Sequence, residues 1–345
     1  MQSKVNKVGI TGTSDFLGRH VRWYFFNDRD NIEIINLEND FSRLYECNVI
    51  LHLFSASESN TKKEEVFNTN IIKARELLDA CDEAKTTPYI IYASSTHIFR
   101  DSPYGKSKKA AGELFRKWGE KRLTPVTNLI IPNEFGEGCD PFSISAVATF
   151  CHQLVKGEES EVSITASTEL IHAQDIASYI GELIKSPKDQ DITLGGTSIK
   201  IKELYELLRS FKNSYFEGII PALESPLHTA LFNTLRSHIF AEEGYYPREI
   251  QLHQDDRGSL FEIIKEKTGG QTFISTTKPG ITRGDHYHTR KVERFCVLQG
   301  SALVEVRDIL SDKVISFNLS GDIPSYVDMP TFFTHNIKNT GNIDL

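Results

Sequence analysis

The sequence predicts an α/β fold, a doubly wound parallel sheet over its first two thirds, followed by an all-β sandwich or barrel. Three features predict it. Short apolar runs alternate with helix-periodic stretches in the first part, the pattern of βαβ units whose parallel strands need a crossover between them. Those runs are continuously apolar, as strands buried on both faces require. From about residue 245 the helical period disappears, and short strand-like stretches lie between Gly, Pro and Asp turns.

In order, KVGITG reads as the first strand, FLGRHVRWYFF as a helix, and IEIINL and VILHLF as the next two strands. NTNIIKARELLDACDEA has a helical period, YIIYASS is a strand, SKKAAGELFRKWGEKR a helix and TNLIIP a strand. In the last part SLFEIIKE, TFISTT, RFCVLQG, SALVEVRD and VISFNLS read as strands. The boundary is expected within AEEGYYPREI, residues 241–250, giving domains 1–243 and 244–345 without a low-complexity linker. NIKNTGNIDL stops after a strand-and-turn pattern, so a closing strand is expected from further chain or from another chain.

At 345 residues, with 39% apolar and 25% charged side chains, the chain can fill two cores. Its formal net charge of -8 argues against a nucleic-acid or membrane-surface binder, since both favour basic patches. No apolar run reaches the ~18 residues of a membrane span. The N-terminus enters a strand without the apolar region of a signal peptide. Cys47, Cys81, Cys139, Cys151 and Cys296 show no C-x-x-C spacing and read as reduced thiols of a cytoplasmic protein.

ITGTSDFLG lies where the first strand turns into the first helix. A glycine-rich turn there lets backbone N–H groups and the helix N-terminus hold a diphosphate, which makes Gly12, Ser14, Phe16, Leu17 and Gly18 candidate cofactor-binding residues. Downstream, Tyr104 and Lys108 are one helical turn apart and share a face. An ammonium beside a phenol favours the phenolate and is expected to lower the Tyr104 pKa toward neutral.

These stretches resemble the extended short-chain dehydrogenase/reductase family, whose pattern is T-G-x-x-G-F-x-G followed by a serine-ended strand and Y-x-x-x-K. The resemblance implies that Tyr104 gives or takes a proton, that Lys108 tunes it, and that Ser95 hydrogen-bonds the substrate oxygen. PNEFGEG (132–138) resembles the segment leading into a sugar-nucleotide pocket, which makes Asn133 a substrate contact. ELIHAQDIA and TSIKIKELYELL match two further landmarks of the sugar-nucleotide epimerase/dehydratase branch. The chain also departs from the family: Asp15 replaces the middle glycine, Phe54 a small residue, Ile130 a common arginine, and IFR a V-Y-G segment. After the second strand, Glu38, Asp40 and Arg43 offer both signs at the place that separates NAD from NADP.

In the last part, Gly280, His286, His288, Glu293 and Gly300 occupy every position of the first cupin motif, and Pro330, His335 and Asn339 match the second, with Phe332 in place of its glycine. H-x-H puts both imidazoles on one face of a strand, and Glu293 reaches the same point across a turn at TRKV. With His335 these form a candidate divalent-metal site suited to Zn, Fe, Mn or Ni, zinc foremost. DDRGSLFEI (255–263) resembles the opening of cupins that epimerise nucleotide-linked 4-keto sugars.

Over nearly its full length the chain resembles the CapF family of bifunctional capsular polysaccharide enzymes, a short-chain dehydrogenase domain fused to a cupin. That resemblance implies N-acetyl-L-fucosamine synthesis on a UDP-linked amino sugar. The cupin would epimerise C-3 of a UDP-2-acetamido-2,6-dideoxy-4-hexulose, and the first domain would reduce the C-4 ketone with NADPH. It also implies a homodimer through the cupin domain. The departures leave two alternatives: a cupin epimerase with a reductase-inactive scaffold domain, and a non-catalytic sugar-nucleotide-binding protein.

Overall fold

The computed structural model describes residues 6–27, 32–57, 61–143, 145–242, 251–268, 270–288, 293–309, 311–323, 325–329 and 333–345. Most of the expected boundary segment (243–250), the TRKV turn (289–292), Pro330 and Phe332 lie outside these residues. The chain forms two compact units, Met1–Asn213 with Leu223–Tyr246, and Ser214–Ala222 with Pro247–Leu345.

The first unit begins β1 (Asn6–Thr11), α1 (Phe16–Asn27), β2 (Ile32–Asn36), β3 (Val49–His52), α2 (Lys63–Glu83), β4 (Tyr89–Ser95), α3 (Pro103–Arg122) and β5 (Val126–Ile131). It continues with β6 (Asn133–Phe135), α4 (Ala146–Lys156), β7 (Ser167–His172), α5 (Ala173–Lys185), β8 (Gln190–Thr193), β9 (Thr197–Lys200), α6 (Ile201–Phe216) and α7 (Pro226–Phe240). Six parallel strands pair in the order β2-β1-β3-β4-β5-β8. The order reverses beside β1, so a crevice opens between the C-terminal ends of β1 and β3, where doubly wound folds bind ligands.

Alternation along the strands builds two core layers. Val8, Ile10, Leu51, Ile91 and Leu129 face α1 and α5, while Ile50, Ile90 and Tyr92 face α2 and α3. Helix α3 starts where Ser102 accepts a hydrogen bond from the Gly105 N–H at 3.0 Å, with Pro103 at the first position. It ends at Leu123, whose φ of 53° is left-handed. Its buried face carries Lys108, Ala111, Phe115 and Trp118 at helical spacing. Four residues of the predicted α3 start were missed because the capping lies in the S-P-Y-G turn. Strands β6, β7 and β9 form a separate small sheet, parallel between β6 and β7.

The second unit contains β10 (His253–Asp255), β11 (Gly258–Lys265), β12 (Gln271–Ser275), β13 (Thr282–His286), β14 (Glu293–Cys296), β15 (Ser301–Asp308), β16 (Val314–Ser320), β17 (Tyr326–Met329) and β18 (Phe333–Asn339). They form antiparallel sheets β10-β11-β12, β13-β18-β15-β16 and β14-β17. Val304, Val306, Leu319 and Ile337 of the four-stranded sheet pack against Phe295, Val327 and Met329 of the two-stranded one. The last residue pairs back, with Leu345 N–H donating to the Thr277 carbonyl at 2.9 Å.

Candidate functional site

In the first unit the glycine turn sits at the crevice. Gly12 has φ +74°, and a Cβ there would lie 2.6 Å from the Phe54 nitrogen. A Cβ on Gly18 would lie 2.0 Å from the Gly12 carbonyl oxygen, so only glycine lets α1 start this close to β1. The first i→i−4 bond of α1 runs from Arg19 N–H to the Asp15 carbonyl, leaving the Phe16 and Leu17 N–H groups at the open helix end. The Leu17 side chain itself belongs to the core. Ser14 is exposed, and its hydroxyl donates to Glu38 at 2.6 Å.

Strand β4 and helix α3 bring Ser95, Tyr104 and Lys108 together. Ser95 hydrogen-bonds the Tyr104 hydroxyl, and the Ser55 hydroxyl donates to it at 3.3 Å. Lys108 is 2% exposed and donates to the Ala93 carbonyl at 2.8 Å, its nitrogen 5.9 Å from the Tyr104 ring centre. Burial pushes the Tyr104 phenol up to about 12, with the Ser55 and Ser95 hydrogen bonds opposing. This corrects the expected lowering: the ammonium is turned to a carbonyl, and desolvation of the phenolate dominates. Burial likewise pushes Lys108 down to about 8, against the charges of Glu134 and Asp15.

Two carboxyls thus face Lys108. Glu134, on β6, has one buried oxygen without a hydrogen-bond partner, and burial pushes it up to about 7. The sequence reading passed over it; the only signal was a charged residue in the apolar-flanked strand NEF. Asp15 accepts from the Ser55 N–H, and its pKa is raised by burial and then by Glu38. Asn133 reaches the same end of the sheet, but its amide already donates to Thr168 at 2.9 Å and Glu169 at 3.3 Å. Ile130 is buried in β5. The glycine turn, the open helix end and the Tyr104–Lys108 pair are the parts that would hold a nicotinamide dinucleotide. Asp15 sets a carboxyl at that turn, where the diphosphate would lie, and burial raises its pKa.

In the second unit the ligand atoms of His286, His288, Glu293 and His335 all lie within 4.8 Å of one another. His286 and His335 are cross-strand partners on β13 and β18. The register slips between Gly284 and His286, with Asp285 at φ 60°, so β13 ends at His286. His288 therefore lies beyond the strand rather than on it, yet its ring is 4.9 Å from that of His286. His335, 1% exposed, donates from Nδ1 to the Phe333 carbonyl at 3.1 Å, which leaves its Nε2 an acceptor. That Nε2 is 2.8 Å from a Glu293 oxygen, and His288 Nε2 is 3.1 Å from the same oxygen. Acceptors held this close require a proton or a cation between them, and a divalent ion fits the donor set. Donors about 2.1 Å from an ion in a tetrahedral set lie about 3.4 Å apart, so a pair separated by as much as 4.8 Å must close by about 1.4 Å on binding.

Comparison with known proteins agrees with both units. Residues 24–195 match the NAD dependent epimerase/dehydratase family, and residues 253–345 the polysaccharide biosynthesis C-terminal domain. The chain is 29% identical to UDP-2-acetamido-2,6-beta-L-arabino-hexul-4-ose reductase of Pseudomonas aeruginosa, over 98% of this chain and 93% of the relative. The crystal structure of the capsular polysaccharide assembling protein CapF from Staphylococcus aureus superimposes with a TM-score of 0.84 at 28% identity, covering 98% of this chain and 93% of that one. RMD from Pseudomonas aeruginosa, complexed with NADPH, shares the fold alone, with a TM-score of 0.56 at 18% identity over 68% of this chain and 98% of its own. With both family models matched in this order and CapF superimposed over almost the whole length, the chain is similar to CapF across both of its units.

Proposed function

We propose that the chain is a bifunctional enzyme of capsule or O-antigen N-acetyl-L-fucosamine synthesis, working in the cytoplasm on a UDP-linked amino sugar. At the coarser level it is a nucleotide-sugar enzyme of the reductase/epimerase kind, as its relatives support. The observation that carries the finer reading is that one chain holds both a Ser95–Tyr104–Lys108 proton-donor group and a four-donor cluster of His286, His288, Glu293 and His335.

The second unit, read as a cupin, inverts C-3 of the 4-keto sugar. Carbon 3 is acidic because its carbanion is an enolate, so a base and an oxyanion stabiliser suffice. A divalent ion, zinc foremost, supplies Lewis acidity toward the ketone when bound. His335 is held in the right tautomer by the Phe333 carbonyl, and Glu293 supplies the charge.

In the first unit, a reduced nicotinamide dinucleotide supplies the hydride for C-4 when bound. Ser95 orients the ketone oxygen, and Tyr104 holds the proton that the new alkoxide takes. A phenol at about 12 stays protonated until the alkoxide forms, which suits a donor. Lys108 keeps a positive charge beneath the site. Asn133 would contact the sugar nucleotide once released from β7. The family resemblance implies NADPH here, while the residues after β2 point elsewhere.

Asp15 favours a second reading, in which the first unit binds sugar nucleotide without reducing it. One experiment separates the two: the full chain is incubated in deuterated water with the UDP-4-keto sugar. Deuterium should enter C-3 without any dinucleotide, and C-4 should be reduced once dinucleotide is added. Tyr104→Phe should keep the exchange and lose the reduction. Exchange without reduction would select the second reading, and absence of both would reject the enzyme.

A further inference from the structure

The end of β2 and the segment after it are tied to the glycine turn by hydrogen bonds from Thr13 and Ser14. Asn36 Oδ1 accepts from the Thr13 hydroxyl at 2.6 Å and from the Glu38 N–H at 2.9 Å. Glu38 then accepts from the Ser14 hydroxyl at 2.6 Å, and its second oxygen from the Ser14 N–H at 3.3 Å. The carboxylate is thereby held beside the turn at the C-terminal ends of β1 and β2. In a doubly wound fold the adenosine ribose of a dinucleotide lies there, and an acidic side chain at this place accepts from its 2′-hydroxyl.

A 2′-phosphate would need a cation instead, and the nearby cations are engaged. Arg43 is the sole basic residue of segment 36–43, and it pairs with Glu33 at 2.8 Å and with Glu46 at 2.8 and 3.1 Å. Arg19 donates to the Ser14 carbonyl at 3.3 Å and to the Gly138 carbonyl at 2.5 Å. Asp40, the next acid along, accepts from the Ser42 N–H and hydroxyl at 2.8 and 2.9 Å. A phosphate monoester carries roughly two negative charges. At this rim it would meet the Glu38 carboxylate, while Arg19 and Arg43, the guanidinium groups on these segments among the described residues, are already paired.

We infer that the first unit selects NADH over NADPH, with Glu38 as the residue that decides. The inference rests on the reading of this unit as a dinucleotide-dependent reductase. Ser14 contributes by fixing the carboxylate, so the pair acts as a ribose clamp rather than a phosphate site. Like charges a few ångströms apart at a protein surface cost on the order of a factor of ten or more in binding.

The test is a direct titration of the full chain with NADH and with NADPH, following nicotinamide fluorescence without sugar substrate. NADH should bind at least about tenfold tighter. Glu38→Gln should narrow the gap, and Glu38→Arg should invert it. Equal or tighter binding of NADPH by the unaltered chain would overturn the inference and leave the reductase reading standing. Binding of neither up to millimolar concentration would overturn that reading and the inference with it. The unaltered chain alone decides the matter if a variant misfolds.

Discussion

Glu134 is the least comfortable side chain of the first unit. One of its oxygens is buried without a partner, and Lys108 and Asp15 are its charged neighbours. Burial holds the folded carboxyl at about 7 against an ordinary 4.5, so the folded state keeps a proton that the unfolded chain has released. Its stabilising contribution is therefore whole below pH 4.5 and lost as pH rises to 7, about 3 kcal/mol at most. Glu134→Gln cannot lose it. Urea midpoints should show the variant gaining on the unaltered chain between pH 5 and 8, reduced by what Lys108 loses with its counter-charge. Parallel pH profiles would mean that this carboxyl is solvated. Spacing cannot reveal such a residue, because its environment depends on β7 pairing with β6 and on Lys108 and Asp15 coming near it from distant segments. Tyr104 taught the same lesson: adjacency to Lys108 was legible, but the sign of the pKa shift belonged to the surrounding dry space.

At the scale of elements, the strands and helices of the first unit follow from apolar runs and helical periods, and β1 to β5 match the expected segments. The H-x-H segment does not follow so simply. A bulge at Asp285 ends β13 at His286, and the cluster closes because the chain turns, not because one strand face repeats. Strand β16 is the edge of the four-stranded sheet, and Val314, Ile315 and Phe317 on it are 49%, 44% and 40% exposed. An apolar edge strand is a template for pairing with another chain. This fits the homodimer that the family resemblance implies. Phe317→Asp should shift the sedimenting species from dimer to monomer. A monomeric unaltered chain, or a dimer indifferent to the substitution, would place the contact elsewhere or remove it.

For the whole molecule, the two units depend on different things. The first has two apolar layers about a six-stranded sheet. Among the described residues the second has a small core around Val297, Ala302, Val304, Val306, Leu319 and Met329, beside the four-donor cluster. Ion binding to folded but not unfolded chain adds to stability by mass action. Chelation should therefore lower the melting temperature of the transition that reports the second unit, by several degrees, and leave the other in place. Readdition of zinc should restore it, and His335→Ala should abolish the response. A melting curve insensitive to chelator would exclude a structural ion. Among the described residues no helix is long and apolar enough to cross a membrane.

The sequence by itself determined the order of elements from β1 to β5, the two classes of architecture, the glycine turn, the Tyr104–Lys108 pair and the residue types of the histidine–glutamate cluster, because each is written in local spacing or in residue chemistry. Only the tertiary structure decided which charges meet. Glu38 reaches Ser14 across 24 residues, Asp15 and Glu134 close on Lys108, and Arg43 is spent on Glu33 and Glu46. Those encounters depend on strand order and on how deeply each group is buried, and neither quantity has a period along the chain.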